Sequence, residues 1–334
     1  MSEDSRTVKA FRTCLTYLAV VASAVLALPT AHAQSYPTRP ITMVVPFPAG
    51  SATDTVASLI GTKMSERLGQ TLVMENVPGA SGTIAAARVA RAPNDGYTLL
   101  IHTTIALSAA LYKNLSYDTA TAFEPIGLVN VGPYVLAANP AYKARDAKEL
   151  LASLKADAAN VKFANAGVGT GSHLCAVMLS QTLGVEPNLI PYKSTSLALQ
   201  DVIAGHSDVL CDQTTNAFPH LAAKRIKAYA ITSPQRNPAF PDIPTTREVG
   251  IPQVDVSVWH GLYAPKGTPQ AIVEQLNAAL QVALADAEVQ KRFTGMGTDL
   301  FPANQRTPAA HARHLAGELV RFREVVNKGN FQLE

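Results

Sequence analysis

The segment from Ile41 to Met64 (ITMVVPFPAGSATDTVASLIGTKM) constrains the fold more than any other part of the chain. A short apolar strand, Ile41–Val45, runs into a proline- and glycine-containing loop, and an amphipathic helix is predicted over Thr53–Leu68. Such a junction directs backbone N–H groups at whatever lies above the loop, with the positive end of the helix dipole behind them. The sequence therefore predicts a small anion site that needs no charged side chain.

A second glycine loop lies at residues 164–173 (ANAGVGTGSH), between a predicted strand at Val161–Ala164 and a helix at His173–Leu183. Its G-x-G-x-G spacing departs from the dinucleotide fingerprint, and no acidic residue follows about 20 residues later to hold a ribose. Neither loop contains GK[ST], which excludes a P-loop. Glycines that merely permit a turn would explain one such loop. Two loops, each followed by serine or threonine, favour a carboxylate held by backbone N–H groups and hydroxyls.

The first 33 residues have the layout of an export signal. Lys9 and Arg12 form a basic start, an apolar run follows at Cys14–Leu28, and an A-x-A pattern predicts cleavage before Gln34. An uncleaved anchor helix is the alternative, but the run is short for a membrane span and ends in small residues. We therefore expect an exported, soluble mature chain.

Composition and missing motifs exclude several classes of function. The net charge is +3 and the basic residues are scattered, which argues against a nucleic-acid partner. The sequence has no G-x-S-x-G elbow, no H-E-x-x-H and no C-x-x-C, so we expect no enzyme activity, no cofactor and no metal. His311 and His314, three residues apart on a predicted helix, are expected to be solvated.

Two cysteines, Cys175 and Cys211, remain after the signal is removed, in an oxidising compartment. A single disulfide between them is open at this point, and two separate buried thiols is the interpretation preferred from the sequence.

Short apolar strands alternate with helices along the whole mature chain, which indicates α/β lobes with mainly parallel sheets. The simplest plan has two lobes, with the chain crossing near Val135 and returning near Trp259. It assigns residues 1–33 to the signal peptide, residues 34–134 plus 259–334 to lobe 1, and residues 135–258 to lobe 2. Because an exposed helix terminus contributes only ~0.3–1 kcal/mol, both lobes would have to close on a ligand and exclude water.

Several stretches of the mature chain resemble one protein family, in the same order and over nearly the full length. They are YPTRPITMVVPFPAGSATD, ENVPGASG, NDGYTLL, ALYKNLSYD, FANAGVGTGSHL, IPYKSTSLALQDVIAG, PDIPTTREVG and WHGLYAPKGTP. On these motifs the chain is identified as a member of the Bug family, the TctC-like periplasmic solute-binding proteins of tripartite tricarboxylate transporters. The resemblance implies a type II periplasmic binding protein fold, in which two α/β lobes are joined by two crossing strands with the ligand cleft between them.

The two loops and the resemblance place candidate ligand-binding residues in both lobes. From the first lobe they are Phe47, Ala49, Gly50, Ser51, Thr53 and Asp54, with Thr103 and Thr104 at the end of a strand. From the second lobe they are Asn165, Gly169, Thr170, Gly171, Ser172 and His173, with Asp212 after another strand. Ser51 stands where the family usually has glycine. Asp212 would repel an anion, so it is expected to meet an ammonium group, bind water or cap a loop.

The resemblance also implies the partners, which are a small carboxylate and the membrane subunits of the transporter, and it implies a periplasmic monomer. Three functions are weighed at this stage. The first is a receptor that delivers a carboxylate to the transporter. The second is an orphan receptor of the same fold that passes a metabolite signal to a sensor kinase. The third is an exported hydrolase with a triad assembled from distant residues, which nothing in the sequence recommends.

Overall fold

The structure is a computed structural model that describes residues 36–103 and 105–329. The predicted signal peptide, its cleavage site and Thr104 lie outside the described residues. The chain divides into two compact units, Met1–Thr38 and Arg39–Glu334, and the elements below all belong to the second. In the ranges that the structure describes, no helix has both the length and the apolar character that crossing a bilayer requires.

Ten strands and ten α-helices alternate along the described chain. The strands are β1 (Ile41–Val45), β2 (Leu72–Asn76), β3 (Thr98–His102), β4 (Phe123–Ala138), β5 (Lys162–Asn165), β6 (Asn188–Pro191), β7 (Val209–Gln213), β8 (Lys227–Ile231), β9 (Ser257–Pro265) and β10 (Asp299–Leu300). The helices are α1 (Ala52–Leu68), α2 (Thr83–Ala90), α3 (Ile105–Leu111), α4 (Ala147–Asp157), α5 (Gly171–Leu183), α6 (Thr195–Ala204), α7 (Thr214–Ala222), α8 (Gln270–Ala285), α9 (Ala287–Gly295) and α10 (Pro308–Gly329).

The long strand β4 belongs to two sheets. In the first sheet, β1 lies parallel to β2 and β3, and β9 runs antiparallel between β3 and the first part of β4, with β10 also on β4. In the second sheet, the last residues of β4 pair antiparallel with β7 and β8, and β5 lies parallel between β6 and β7. The α/β fold class expected from the sequence is confirmed. The expectation of mainly parallel sheets is wrong, because five of these nine strand pairs are antiparallel, all of them involving β4 or β9.

Local sequence explains where the helices next to the glycine loops begin. Helix α1 starts after its cap Ser51, whose hydroxyl accepts from the Asp54 amide at 3.3 Å, and it buries Val56, Ile60 and Met64 at helical spacing. Helix α5 starts after Thr170, two residues earlier than predicted, because the Thr170 hydroxyl accepts from the His173 amide. Both helices therefore begin immediately beyond their loops.

Cys175 and Cys211 form a disulfide, with their Cα atoms 6.2 Å apart. The preferred interpretation as two separate thiols is wrong. Helix α5 packs on β7, which brings two fully buried cysteines to a Cα separation that suits a disulfide. The cross-link joins the first turns of α5 to the strand that ends at Gln213.

The solvated environment expected for His311 is also wrong. His311 is fully buried, and His314 is half-buried with its ring 4.7 Å from that of Trp259. Helix α10 turns this side toward β4 and β9, and His311 lies one helical turn before the buried Leu315.

Candidate functional site

The starts of four helices, α1, α5, α6 and α7, meet around one cavity. The space between its atoms is about 340 Å³, of which about 20 Å³ can be occupied by the centre of a water molecule. It is lined by Phe47, Ser51, Ala52, Thr53, Thr103, Tyr134, Ala166, Thr170, Gly171, Ser172, Ser194, Thr195 and Gln213. None of these lining residues carries a charged side chain. The cavity is therefore polar through its backbone and its hydroxyls.

Backbone amides at the starts of α1, α5 and α6 are left without partners. In each helix the cap hydroxyl (Ser51, Thr170 or Ser194) accepts from the third amide, at 3.3 Å. Within the described ranges, the backbone amides of the first one or two residues of these three helices make no hydrogen bond, and the same residues line the cavity. They are Ala52 and Thr53 on α1, Gly171 and Ser172 on α5, and Thr195 on α6. Unpaired amides with a positive helix end behind them suit an anion.

Seven residues predicted from the sequence line this cavity: Phe47, Ser51, Thr53, Thr103, Thr170, Gly171 and Ser172. Their hydroxyls are partly engaged within the protein. The Ser172 hydroxyl donates to the Cys211 carbonyl at 2.6 Å, and the Thr53 hydroxyl lies 3.2 Å from Nε2 of His260. Gly171 packs so closely on the Tyr134 hydroxyl that an added Cβ would collide with it.

Three predicted residues of the first loop lie outside the cavity lining. Ala49 and Gly50 are exposed. The Gly50 amide donates to the Asp54 carboxylate at 2.8 Å, and Asp54 also accepts from Asn76 at 2.8 Å. Asp54 therefore stabilises the shape of the loop. Because the Gly50 amide donates to the Asp54 carboxylate, it is not available to the ligand to which the sequence analysis assigned it.

Three residues of the second loop likewise lie outside the lining. The Asn165 side chain accepts from the Gly167 amide at 2.9 Å and donates to the Ile190 carbonyl at 3.3 Å. Gly169 has φ 84°, which favours glycine, and half-buried His173 contributes its amide to the Thr170 cap. These residues shape the loop around the amides.

Asp212 lies fully buried next to the cavity, not in its lining. Its carboxylate accepts from the Gln213 amide at 2.8 Å and from the Asn216 side chain at 2.6 Å, and the Thr195 hydroxyl also binds it. Of the three roles expected, this geometry fits the cap of a loop, at the turn from β7 into α7. Burial raises the pKa of the Asp212 carboxyl to about 7, against the opposing effect of these hydrogen bonds.

Near the glycine loops, hydrogen bonds join segments attached to the first sheet with segments attached to the second. The Ser196 hydroxyl donates to the Gly50 carbonyl at 2.8 Å, and the Ser81 hydroxyl donates to the Val168 carbonyl at 2.6 Å. Ser196 also reaches Asn216 at 3.2 Å, so the contact connects through Asn216 to Asp212. One bond therefore ties the first glycine loop to α6, and the other ties the second glycine loop to the segment before α2. The small water-sized space matches such a closed arrangement.

Sequence reasoning missed six lining residues: Ala52, Tyr134, Ala166, Ser194, Thr195 and Gln213. Ser194 follows strand β6 and caps α6, so the same strand–cap–helix pattern was present without a glycine. Gln213 directly follows the predicted Asp212 at the end of β7. Tyr134 has no local signal, because its role arises only where β4 passes under α5.

Comparison with known proteins gives consistent matches. A family model described as "Tripartite tricarboxylate transporter family receptor" matches residues 56–330. A UPF0065 protein of Agrobacterium vitis is 40% identical over 314 residues, covering 93% of this chain and 91% of its own. The solved structure of the periplasmic binding protein BugD is 40% identical and has a TM-score of 0.86, with 90% and 100% of the two chains covered. MatC from Rhodopseudomonas palustris, solved with bound malate, is 39% identical with a TM-score of 0.84 and coverages of 87% and 100%.

Proposed function

The chain belongs to the TctC or Bug family, the receptors of tripartite tricarboxylate transporters, and from this premise we propose that it is a periplasmic receptor that captures a small carboxylate and delivers it to the membrane subunits of such a transporter. The observation that carries the proposal is the convergence of four helix starts on one cavity without a charged lining side chain. The family is one of solute receptors, and MatC holds malate. The first 33 residues would export the chain.

The energy scale supports a ligand that touches several helix starts together. A micromolar Kd corresponds to about −8 kcal/mol, whereas one helix end contributes up to ~2 kcal/mol when partly buried. Hydrogen bonds from amides to a charged oxygen add roughly 1.5–3 kcal/mol each. A carboxylate ligand is therefore expected to bind well only when the amides of both loops contact it in a closed, dry cavity.

We propose that the ligand is held between two lobes, residues 34–134 plus 259–334 and residues 135–258. The pairing of β4 supports this division, since its partners change from β9 to β7 and β8 at Pro133 and Tyr134. Loop 46–50 is attached to the first sheet and loop 164–173 to the second, so separation of the sheets would open the cavity.

The hydroxyls of Ser51 and Ser172 argue against a hydrolase. Ser51 accepts from the Asp54 amide, and Ser172 donates to the Cys211 carbonyl at 2.6 Å. Among the described residues, neither hydroxyl is hydrogen-bonded to a histidine that could act as its base. Both serines are engaged as structural donors or caps, which supports a receptor that binds without catalysis.

A proline at the first position of α1 tests the backbone donors directly. Proline is tolerated there, and Ser51 before it already has a suitable ψ of 163°, so Ala52→Pro removes one cavity amide without breaking the helix. We expect about a ten- to hundredfold loss of affinity with little change in melting temperature. A thermal-shift screen of the mature chain against mono-, di- and tricarboxylates first identifies an acid that binds. Calorimetry with that acid then measures the loss of affinity.

The matched control is Ala287→Pro, which places proline at the first position of α9, after the cap Asp286 and away from the cavity. Its affinity for the same acid should equal that of the wild type. If no carboxylate raises the melting temperature, or if Ala52→Pro binds as tightly as Ala287→Pro, the proposed site is wrong.

Ligand affinity should fall as the pH rises through 7, because Asp212 then ionises behind Gln213 and Thr195 and repels the ligand. For a dicarboxylate that is fully ionised throughout, we expect a three- to tenfold loss between about pH 6 and about pH 8. Asp212→Asn, which stays neutral, should remove this dependence. Calorimetry at both pH values measures the affinity of the wild type and of the variant. A pH-independent affinity in the wild type would contradict the role given to Asp212.

A further inference from the structure

Two buried polar atoms of cavity-lining residues have no hydrogen-bond partner within the part of the chain that the structure describes. They are Oε1 of Gln213 and Oγ1 of Thr103, in residues that are 7% and 3% exposed. The other polar groups facing the cavity are mainly amide donors at helix starts. Gln213 differs from these because its free atom is an acceptor.

A ligand made only of carboxylates cannot satisfy this acceptor. Ionised carboxylate oxygens accept hydrogen bonds and donate none, so they pair with the amides of Ala52, Gly171 or Thr195 but not with Oε1 of Gln213. A buried acceptor left unpaired weakens binding by about ten- to hundredfold relative to a ligand that supplies the donor. The lining therefore discriminates on a second chemical feature besides negative charge.

The surroundings of Gln213 hold its side chain in place, because that side chain hydrogen-bonds the side chain of Tyr134, which also lines the cavity. The backbone amide of Gln213 donates to Asp212 at 2.8 Å, and the residue pairs with Tyr134 in the sheet immediately before α7 begins. Tyr134 in turn packs on Gly171 at the start of α5. Gln213 thus lies between the starts of α5 and α7, close to the amides proposed to bind the carboxylate.

We infer that the ligand carries a hydrogen-bond donor, a hydroxyl or a protonated amine, in addition to its carboxylates, and that Gln213 accepts from this donor. The inference rests on the proposed function and narrows its substrate class to hydroxy- or amino-substituted acids. Thr103 adds a second unpaired hydroxyl, which can donate to a ligand hydroxyl and can accept from a hydroxyl or an ammonium group. Between the two donors, the hydroxy acid is the expected ligand, because the positive helix ends disfavour a cation.

Matched acids of equal carbon number test the inference on the unmodified mature protein. Succinate, malate and aspartate form one set, and glutarate, 2-hydroxyglutarate and glutamate form another. In the set that binds, calorimetry should give a Kd at least tenfold lower for the hydroxy acid than for the unsubstituted acid. The Kd of the amino acid in the same set shows whether an ammonium donor improves binding as much as a hydroxyl does.

Gln213→Met keeps the length of the side chain and removes the acceptor. It should bring the ratio between hydroxy and unsubstituted acid close to one, mainly by weakening the hydroxy acid. Gln281→Met is the matched control, because half-buried Gln281 donates to the Arg306 carbonyl outside the cavity, and it should leave the ratio unchanged.

The ratio of the two Kd values in the wild-type protein tests the inference even if Gln213→Met does not fold. Equal or tighter binding of the unsubstituted acid, or a ratio that survives in Gln213→Met, overturns the inference while the receptor proposal stands. Binding of no acid in either set, together with no stabilisation by any mono-, di- or tricarboxylate in the thermal-shift screen, counts against the receptor proposal itself, so the two failures are distinguishable.

Discussion

Acidification from about pH 7.5 to about pH 4.5 is expected to destabilise the protein by about 5 kcal/mol. Burial lowers the pKa of His102 to about 4 and the pKa of His260 and of His311 to about 3. In the unfolded chain each of these imidazoles has a pKa of ~6.5, so the unfolded state binds more protons below that value. Their stabilising effect is complete above about pH 6.5 and is lost as the pH falls toward the folded values.

The size of the effect follows from about 1.4 kcal/mol per pH unit for each group. Three histidines together lose about 8 kcal/mol at about pH 4.5. Asp212 acts in the opposite direction, because its pKa of about 7 lies above that of the unfolded chain. Folding is therefore favoured by its protonation, which returns about 3 kcal/mol over the same range. The histidines outweigh it.

His311 allows the contribution of one group to be isolated. Neither of its ring nitrogens has a hydrogen-bond partner among the residues that the structure describes, and its ring packs on Tyr263 at a centroid distance of 4.5 Å. His311→Leu has similar volume and no ionisable group, so it should fold normally at neutral pH and lose about half of the net acid destabilisation of about 5 kcal/mol. Urea unfolding across the pH range measures both.

The control for this variant is His206→Leu, since the His206 side chain is 73% exposed. It should follow the wild-type pH curve. Equal urea midpoints of the wild type at about pH 4.5 and about pH 7.5, or a full acid dependence in His311→Leu, would show that the buried histidines do not control acid stability.

The parts of the site that depend on local sequence were predictable. A strand, a glycine loop and a capped helix are encoded within about 15 residues, so α1 and α5 were located within two residues of their true starts. Ser194 caps α6 in the same way but without a preceding glycine, so a pattern that includes glycine does not identify it. His311 had a signal as well, since it lies four residues before Leu315 on the apolar face of α10.

The remaining features depend on tertiary packing, which no local pattern carries. Tyr134 contacts Gly171 only because β4 passes beneath the start of α5, and Gln213 turns toward the cavity only because α7 begins there. The disulfide joins cysteines 36 residues apart, and their approach requires α5 to lie on β7. Sequence spacing gave no reason to prefer this pairing over two separate thiols.

Removal of the Cys175–Cys211 disulfide is expected to lower the free energy of unfolding by about 4 kcal/mol. The cross-link closes a loop with a sequence separation of 36, and freeing a loop of that size restores roughly this much chain entropy to the unfolded state. Melting temperature should fall by roughly 6–8 °C. The double variant Cys175→Ala, Cys211→Ala avoids new buried hydroxyls, and urea unfolding with and without dithiothreitol measures the loss.

The disulfide should also support binding, because it ties the two elements that carry the second loop's donors and the Gln213 acceptor. Cys175 lies one turn beyond Gly171 and Ser172, Cys211 lies two residues before Gln213, and the Ser172 hydroxyl bonds to the Cys211 carbonyl. Dithiothreitol should therefore weaken both stability and ligand affinity in the wild type and change neither in the double variant. An unchanged urea midpoint after verified reduction of the wild type would show that packing of α5 on β7 suffices without the cross-link.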